Sequence, residues 1–110
     1  MMTILLFKSS SDFAENKDIA RKLRIETIEP ALAKGNSITV DFDGVTSATQ
    51  SFIHALISET IRTYGVEILE RLQFKNCNDK IKTIIEIVVE YVQDGIFIQD
   101  DEAKLPVTKR

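Results

Sequence analysis

Cysteine, histidine and glycine are scarce in this chain, and each shortage excludes a class of site. The single cysteine, Cys77, rules out a disulfide within the chain, which fits a reducing compartment. The single histidine, His54, cannot anchor a typical zinc cluster, because such clusters take several His or Cys ligands. The four glycines are isolated from one another, so no glycine-rich phosphate-binding loop is present. We therefore expect neither a metal nor a cofactor.

The chain also lacks a block of basic residues and a long apolar run. Its net charge is −3, whereas duplex nucleic acid is bound by clustered cations that neutralise its phosphates. No apolar stretch approaches the roughly 18 residues of a membrane span. The run from Met2 to Phe7 is too short for a signal peptide. We expect a cytoplasmic protein that contacts neither nucleic acid nor membrane.

The composition that remains is typical of a soluble globular domain. The chain has 110 residues, of which 44% are hydrophobic and 28% are charged. A chain of this length buries about two thirds of its unfolded surface on folding. We expect one domain over residues 1–110, with a polar and mobile tail over residues 99–110.

Apolar alternation and short apolar runs predict four strands. They are Thr3–Phe7 near a sheet edge, Ile38–Phe42, a strand that ends at Phe74, and a short terminal strand at Ile96–Ile98. The start of the third strand is open, because the residues between Glu67 and Arg71 also suit a helix; we favour Arg71.

Helical spacing predicts a first helix that begins at an N-cap pair. Asp12 and Glu15 have the required spacing, and the helix is expected to run to about Thr27. Pro30 then either kinks this helix or begins a separate short turn that ends at Gly35.

A second helix follows the Ile38–Phe42 strand, and a third is expected after Asn78. Asn78 suits an N-cap, and the third helix is predicted to reach about Gln93 and to end at Gly95. Strands that alternate with helices imply an α/β fold, in which amphipathic helices pack on a mixed, mostly parallel sheet.

The junction between the Ile38–Phe42 strand and the second helix is the most informative stretch. Asp43 and Gly44 have turn chemistry, and apolar residues then recur at helical spacing from Phe52 to Tyr64. The opposite helix face is predicted to carry the polar side chains, namely Ser51, Ser58 and Arg62. Two N-caps compete, because Ser47 with Gln50 has capping-box spacing whereas Thr49 would start the helix two residues later.

The pattern VDFDGVTSATQSF at this junction resembles the STAS domain, the module of sulfate transporters and anti-sigma factor antagonists. It is most similar to a STAS-like branch of stand-alone bacterial proteins, in which a DFxGV turn leads into a Ser-Phe helix start. The later RLQFKNCNDKIKTII resembles the same branch, so the similarity spans roughly residues 38–85.

The resemblance implies a non-enzymatic regulator that acts by protein contact. In the anti-sigma antagonists a partner kinase phosphorylates the first Ser of an Asp-Ser-Ser-Gly turn. Here Thr49 takes the Asp position, Gln50 the phosphorylated Ser, Ser51 the second Ser and Phe52 the Gly. Gln50 cannot be phosphorylated, which leaves Ser51 or Thr49 as acceptors.

The resemblance also indicates the binding surface and the kind of partner. The expected partner is a histidine-kinase-like ATPase or a serine kinase. The candidate contact residues are Thr46, Ser47, Thr49, Gln50 and Ser51.

Asp41 and Asp43 support an enzymatic alternative. Asp41-Phe42-Asp43-Gly44-Val45 resembles the first motif of haloacid dehalogenase-like phosphatases, in which two such carboxylates work around magnesium. In a purely structural interpretation of the same residues, Asp41 accepts hydrogen bonds from nearby backbone N–H groups, and Asp43 and Gly44 form the turn. A third hypothesis is a structural subunit or homodimer that associates through the last helix.

Overall fold

The structure, a computed structural model, describes residues 2–98, with side-chain surroundings through residue 93. Five strands and five α-helices are interspersed along the described chain, which confirms the α/β fold. The strands are β1 (Met2–Leu5), β2 (Phe13–Ala14), β3 (Ile38–Asp41), β4 (Ser47–Ala48) and β5 (Leu72–Lys75). The helices are α1 (Phe7–Ser10), α2 (Lys17–Leu23), α3 (Glu29–Ala33), α4 (Gln50–Tyr64) and α5 (Asp79–Ile98).

The main sheet is parallel and has the order β1-β3-β5. Because both crossovers step across the sheet in the same direction, right-handed connections place their helices on one face. The register puts on that face the side chains of Ile4, Ile38, Val40, Leu72 and Phe74, all buried or partly buried. On the other face, Leu5, Gln73 and Lys75 are exposed. Thr39 and Asp41 of the central strand are buried on this face too, so the crossover helices lie on one side of the sheet while its edge strands stay exposed on the other.

The predicted first strand is confirmed at the sheet edge, but it ends before Phe7. The predicted third strand is also confirmed, and the uncertain residues before it, Val66–Glu70, form a 3-10 turn. The strand predicted at Ile96–Ile98 is wrong, because α5 continues through Gly95 to Ile98. The prediction for the tail at 99–110 lies outside the described residues.

The predicted start of the first helix at Asp12 is wrong, whereas its predicted course to about Thr27 is confirmed by α2 and the helical residues that follow it. Phe13 and Ala14 form β2, which pairs in parallel with β4, and α2 begins only at Lys17 with Asn16 as its N-cap. The Asn16 side chain accepts a hydrogen bond from Asp18 N–H, 2.9 Å away. Asn16 is thus the N-cap, in place of Asp12. Residues 12–14 instead pair with the loop between β3 and α4.

Pro30 lies in the first turn of α3, as expected if it begins a separate short segment. Between α2 and α3 the chain stays helical but widens into a π-helical segment, Arg24–Ile28, in which Glu29 N–H donates to the Arg24 carbonyl. Proline has no N–H to donate, so the hydrogen-bond ladder must change where it enters a helix.

Helix α4 forms the centre of the helical layer, since it contacts both α2 and α5. Its apolar face includes Phe52, Ile53 and Ile57, which are fully buried. The prediction for Ser58 is wrong: only 2% of it is exposed, because α5 covers that side of α4 as well. Tyr64 was expected on the apolar face but is 37% exposed at the end of the helix.

Candidate functional site

The turn after β3 is closed by hydrogen bonds to the Asp41 carboxylate. Asp41 Oδ1 accepts from the Asp43 backbone N–H and from Asn76 Nδ2, each at 2.9 Å. Donation by the Asn76 amide, and then by Asp43 N–H, holds the pKa of Asp41 below its ordinary value. Only 8% of Asp41 is exposed, so the carboxylate links two neighbouring strand ends and does not project into solvent.

Gly44 allows this turn to be tight. Its φ of +88° lies in the left-handed region that favours glycine. A Cβ at this position would stand 2.9 Å from Cδ1 of Phe7. The Phe7 ring therefore lies directly over the turn, although 45% of the residue is exposed.

The loop that follows, Thr46–Thr49, is held against β2 by its backbone. Thr46 N–H and Ser47 N–H both donate to the Asp12 carbonyl, at 2.8 and 3.2 Å. Thr49 N–H donates to the Ala14 carbonyl at 2.9 Å. These hydrogen bonds fix the loop along β2 and use the backbone donors of Thr46, Ser47 and Thr49.

The other side of the loop is held by the junction between β5 and α5. Asn78 Nδ2 donates to the Thr46 carbonyl at 2.8 Å. Asn78 Oδ1 accepts from Ile81 N–H at 2.9 Å, which makes Asn78 the N-cap of α5 as predicted. One asparagine thus caps a helix and fixes the candidate loop.

Thr49, rather than Ser47, is the N-cap of α4. Its hydroxyl accepts from Phe52 N–H at 3.1 Å, and the residue is only partly exposed. Ser47 instead belongs to β4 and is partly buried opposite Phe13. The Thr46 hydroxyl donates to the Asp12 carbonyl at 3.2 Å.

Gln50 and Ser51 are the exposed members of the predicted set at the start of α4. Within the described chain the Ser51 hydroxyl forms no hydrogen bond. The first turn of α4 contains no acidic side chain, and the N–H groups of Gln50 and Ser51 have no acceptor in the described chain. Such a helix start favours negative charge, because its free N–H groups and the helix dipole both point outward.

Two exposed phenylalanines border the loop, and the sequence reading did not identify them. Phe13 is 44% exposed and lies opposite Ser47 in the β2–β4 pair, while Phe7 covers Gly44. The position of Phe13 depends on the pairing of β2 with β4, which joins residues 34 apart in the chain and leaves no local pattern. Large exposed aromatic side chains at a rigid edge are typical anchors for protein contacts.

The remaining reactive side chains lie apart from one another. Burial raises the pKa of the Cys77 thiol, which disfavours the nucleophilic thiolate. Burial also lowers the pKa of His54, whose Nδ1 is 3.3 Å from Ser58 Oγ and whose ring is 6.0 Å from Tyr91. Within residues 2–98 no group of three or more His, Cys, Asp and Glu residues is placed to hold a metal ion.

These observations define a small α/β module in which one strand-to-helix junction presents polar and aromatic side chains. The family described as a STAS-like domain of unknown function matches residues 20–82, more than half of the chain. The chain belongs to this family, as its junction motif predicts, and the match begins well before the motif. Neither a search of curated proteins nor one of solved structures finds a match.

Membership in this family indicates function in general terms. STAS-like domains are generally non-catalytic, and membership suggests a regulatory or interaction module. Within residues 2–98, no helix combines the length and the apolar character that crossing a bilayer requires.

Proposed function

We propose that this domain is a regulatory protein-interaction module whose binding surface is the strand-to-helix loop, Thr46–Phe52. The observation that carries the proposal is the way in which the loop is held. Its backbone is fixed by Asp12, Ala14 and Asn78, whereas Gln50 and Ser51 project into solvent. A surface held rigid before binding loses little conformational entropy when a partner docks.

Phe7 and Phe13 supply the apolar part of this binding surface. Each exposes nearly half of its area beside the loop. Binding energy in protein interfaces is concentrated in a few large side chains surrounded by polar contacts. The two rings would supply affinity, and the polar side chains at the start of α4 would supply specificity.

Phosphorylation at Ser51 would regulate this surface. Thr49 is the poorer acceptor, because its hydroxyl caps α4 and is partly buried, whereas the Ser51 hydroxyl is exposed and forms no hydrogen bond. A phosphate adds about −1.5 to −2 charges at neutral pH. The free N–H groups of Gln50 and Ser51 favour such a charge, so modification would change the surface without unfolding α4.

Family resemblance supports a kinase-related partner. In anti-sigma antagonists the corresponding turn is recognised and modified by a partner kinase, so a histidine-kinase-like ATPase or a serine kinase is the partner we propose. The magnesium-phosphatase alternative has less support, because Asp41 Oδ1 already accepts two hydrogen bonds within the turn.

Phosphorylation can be tested with the full chain and a cognate serine kinase. We expect mass spectrometry to find one phosphate, on Ser51, and to find none after Ser51→Ala. Thr63→Ala, at the exposed end of the same helix, is the matched control and should leave modification unchanged. Phosphate elsewhere, with Ser51 unmodified, would contradict the proposed switch.

Docking is tested separately by the affinity of the purified kinase for variants of the domain. Phe13→Ser should weaken binding at least tenfold, since it removes an anchor of the surface. Tyr64→Ser, which removes an exposed aromatic ring from the far end of α4, should have no effect. Equal losses in both variants would show that the loop is not the docking surface.

A further inference from the structure

The outer edge of β5 has no partner strand in the described chain. The order β1-β3-β5 places β5 at the edge opposite β1. Ile38 N–H donates to the Arg71 carbonyl and Phe42 N–H to the Lys75 carbonyl, so alternate residues of β5 face β3. The backbone groups of Leu72 and Phe74 therefore point outward. An open strand edge of this kind is a template for another extended chain.

A groove with an apolar floor runs beside this edge, between β5 and α5. Its volume is about 670 Å³. The floor is formed by Leu72 and Ile85, which are buried, and by Leu69, Phe74 and Val89, which are partly buried. A strand added to β5 would place every second side chain over this floor, because side chains alternate between the two faces of a sheet.

The charged side chains that line the groove are both acidic. Glu86 and Glu90 are exposed and lie one turn apart on α5. Neither forms an ion pair with another residue of the described chain. Two unpaired carboxylates beside an apolar floor favour an occupant that carries both aliphatic and cationic side chains.

We propose that this groove binds an extended, basic segment of a partner protein, which adds to β5 as a further strand. The backbone of the segment would bond to Leu72 and Phe74. One aliphatic side chain would lie over Phe74 and Val89, and lysine or arginine two positions away on either side would pair with Glu86 and Glu90. This surface is distinct from the Thr46–Phe52 loop, so the inference goes beyond the proposed function.

The test is an NMR titration of the full chain with the acetylated and amidated peptide Thr-Lys-Thr-Ile-Thr-Lys-Thr. We expect shifts at Leu72, Phe74 and Val89, and slower hydrogen exchange of the Leu72 and Phe74 amides. A peptide with Glu in place of both Lys should bind at least tenfold more weakly. The double variant Glu86→Lys, Glu90→Lys should reverse that preference.

A matched control reverses charge on a different surface. The double variant Glu15→Lys, Glu26→Lys makes the same change in net charge on exposed residues before α3. It should bind the basic peptide as the unaltered chain does. If it loses as much affinity as the groove variant, the attraction is a general charge effect and the proposal is overturned.

Other occupants give different results in the same experiment. Protection of the Phe74 amide in the peptide-free chain at every concentration would show that the chain's own residues 99–110 cover the edge. Protection that increases with protein concentration would show a second copy there. Either result, or peptide shifts confined to other surfaces, overturns the assignment to a partner segment.

Discussion

The two strand-to-helix junctions at one end of the sheet share a plan and differ in what they expose. In each, a polar cap accepts a hydrogen bond from the N–H group three residues later: Thr49 from Phe52, and Asn78 from Ile81. Phe52 and Ile81 are both fully buried, so each helix start is fixed to the core at the same position.

The junctions differ in length and in the direction of their polar groups. The β5–α5 junction is only three residues long, and the amides of Asn76 and Asn78 point back to hold Asp41 and Thr46. The β3–α4 junction is longer and turns Gln50 and Ser51 toward solvent. Hydrogen bonding within the fold accounts for Asn76 and Asn78 in the β5–α5 junction. It does not account for the exposed Gln50 and Ser51 after the β3–α4 junction.

The largest expected loss of stability follows substitution of the buried residue at the start of each helix, Phe52 in α4 and Ile81 in α5. Phe52→Ala should lower the free energy of unfolding by about 3–5 kcal/mol, and Ile81→Ala by about 2–5 kcal/mol, because each leaves a cavity. Urea denaturation measures both changes. The control is Phe13→Ala, which alters a half-exposed ring and should cost about 1 kcal/mol or less. A comparable loss in the control would contradict the distinction between anchor and surface.

Substitution of the two N-cap residues should have different effects on stability. Thr49 only caps α4, whereas Asn78 caps α5 and also donates to the Thr46 carbonyl. Thr49→Ala should cost about 1 kcal/mol, whereas Asn78→Ala should cost about 1–2 kcal/mol and also free the Thr46 carbonyl. Asn78→Asp keeps an acceptor for Ile81 N–H but removes the donor to Thr46. It should preserve α5 while speeding hydrogen exchange at Thr46 and Ser47. No such change at the loop would show that Asn78 acts on α5 alone.

Asn76 should contribute to stability at the pH values where Asp41 is ionised and not in acid. A lowered pKa in the folded state means that the Asp41 contribution is present above the unfolded value of about 3.8 and is lost as the pH falls through the folded value. Asn76→Gly tolerates the φ of 59° and removes the amide donor. It should raise the pKa of Asp41 and shrink the loss of stability on acidification, as measured by carboxyl NMR titration and urea midpoints.

The control for this substitution is Ser11→Gly, at the other non-glycine residue with positive φ in the described chain. It makes the same backbone change at a residue that forms no hydrogen bond with Asp41 and should leave that pKa unaltered. An unchanged Asp41 titration in Asn76→Gly would contradict the role given to the Asn76 amide.

The smallest expected effect on stability is at Ser51. Ser51→Ala should change the free energy of unfolding by no more than about 0.5 kcal/mol, because the hydroxyl is exposed and forms no hydrogen bond. A loss comparable to that of Thr49→Ala would assign Ser51 a role in holding α4. A neutral result would leave its exposed hydroxyl available for recognition.

Local patterns predicted the elements whose signals lie close together in the chain. Alternation located the strand that ends at Asp41, helical spacing located α4 and α5, and Asn78 caps α5 as its pattern predicts. The family motif depends on the same short-range chemistry and was also recognised from the sequence.

Local sequence patterns could not predict features that depend on contacts between residues far apart in the chain. Asp12 has the spacing of a helix cap, but its carbonyl binds Thr46 and Ser47, and that contact appears only after folding. Ser58 looked solvent-facing because one helix viewed alone has a polar side, whereas α5 covers that side here. The prediction that the last helix ends at Gly95 is wrong, because glycine only weakens a helix and does not stop it as proline does.

The pairing of β2 with β4 also affects how this domain can diverge. The backbone donors of Thr46, Ser47 and Thr49 are used within the fold, so variation between partners at the proposed surface would come from its side chains. Substitutions at Gln50 or Ser51 alter that surface without disturbing any hydrogen bond that holds the loop. Descendants of one ancestral domain could thus acquire new partners by single point mutations while the architecture persists.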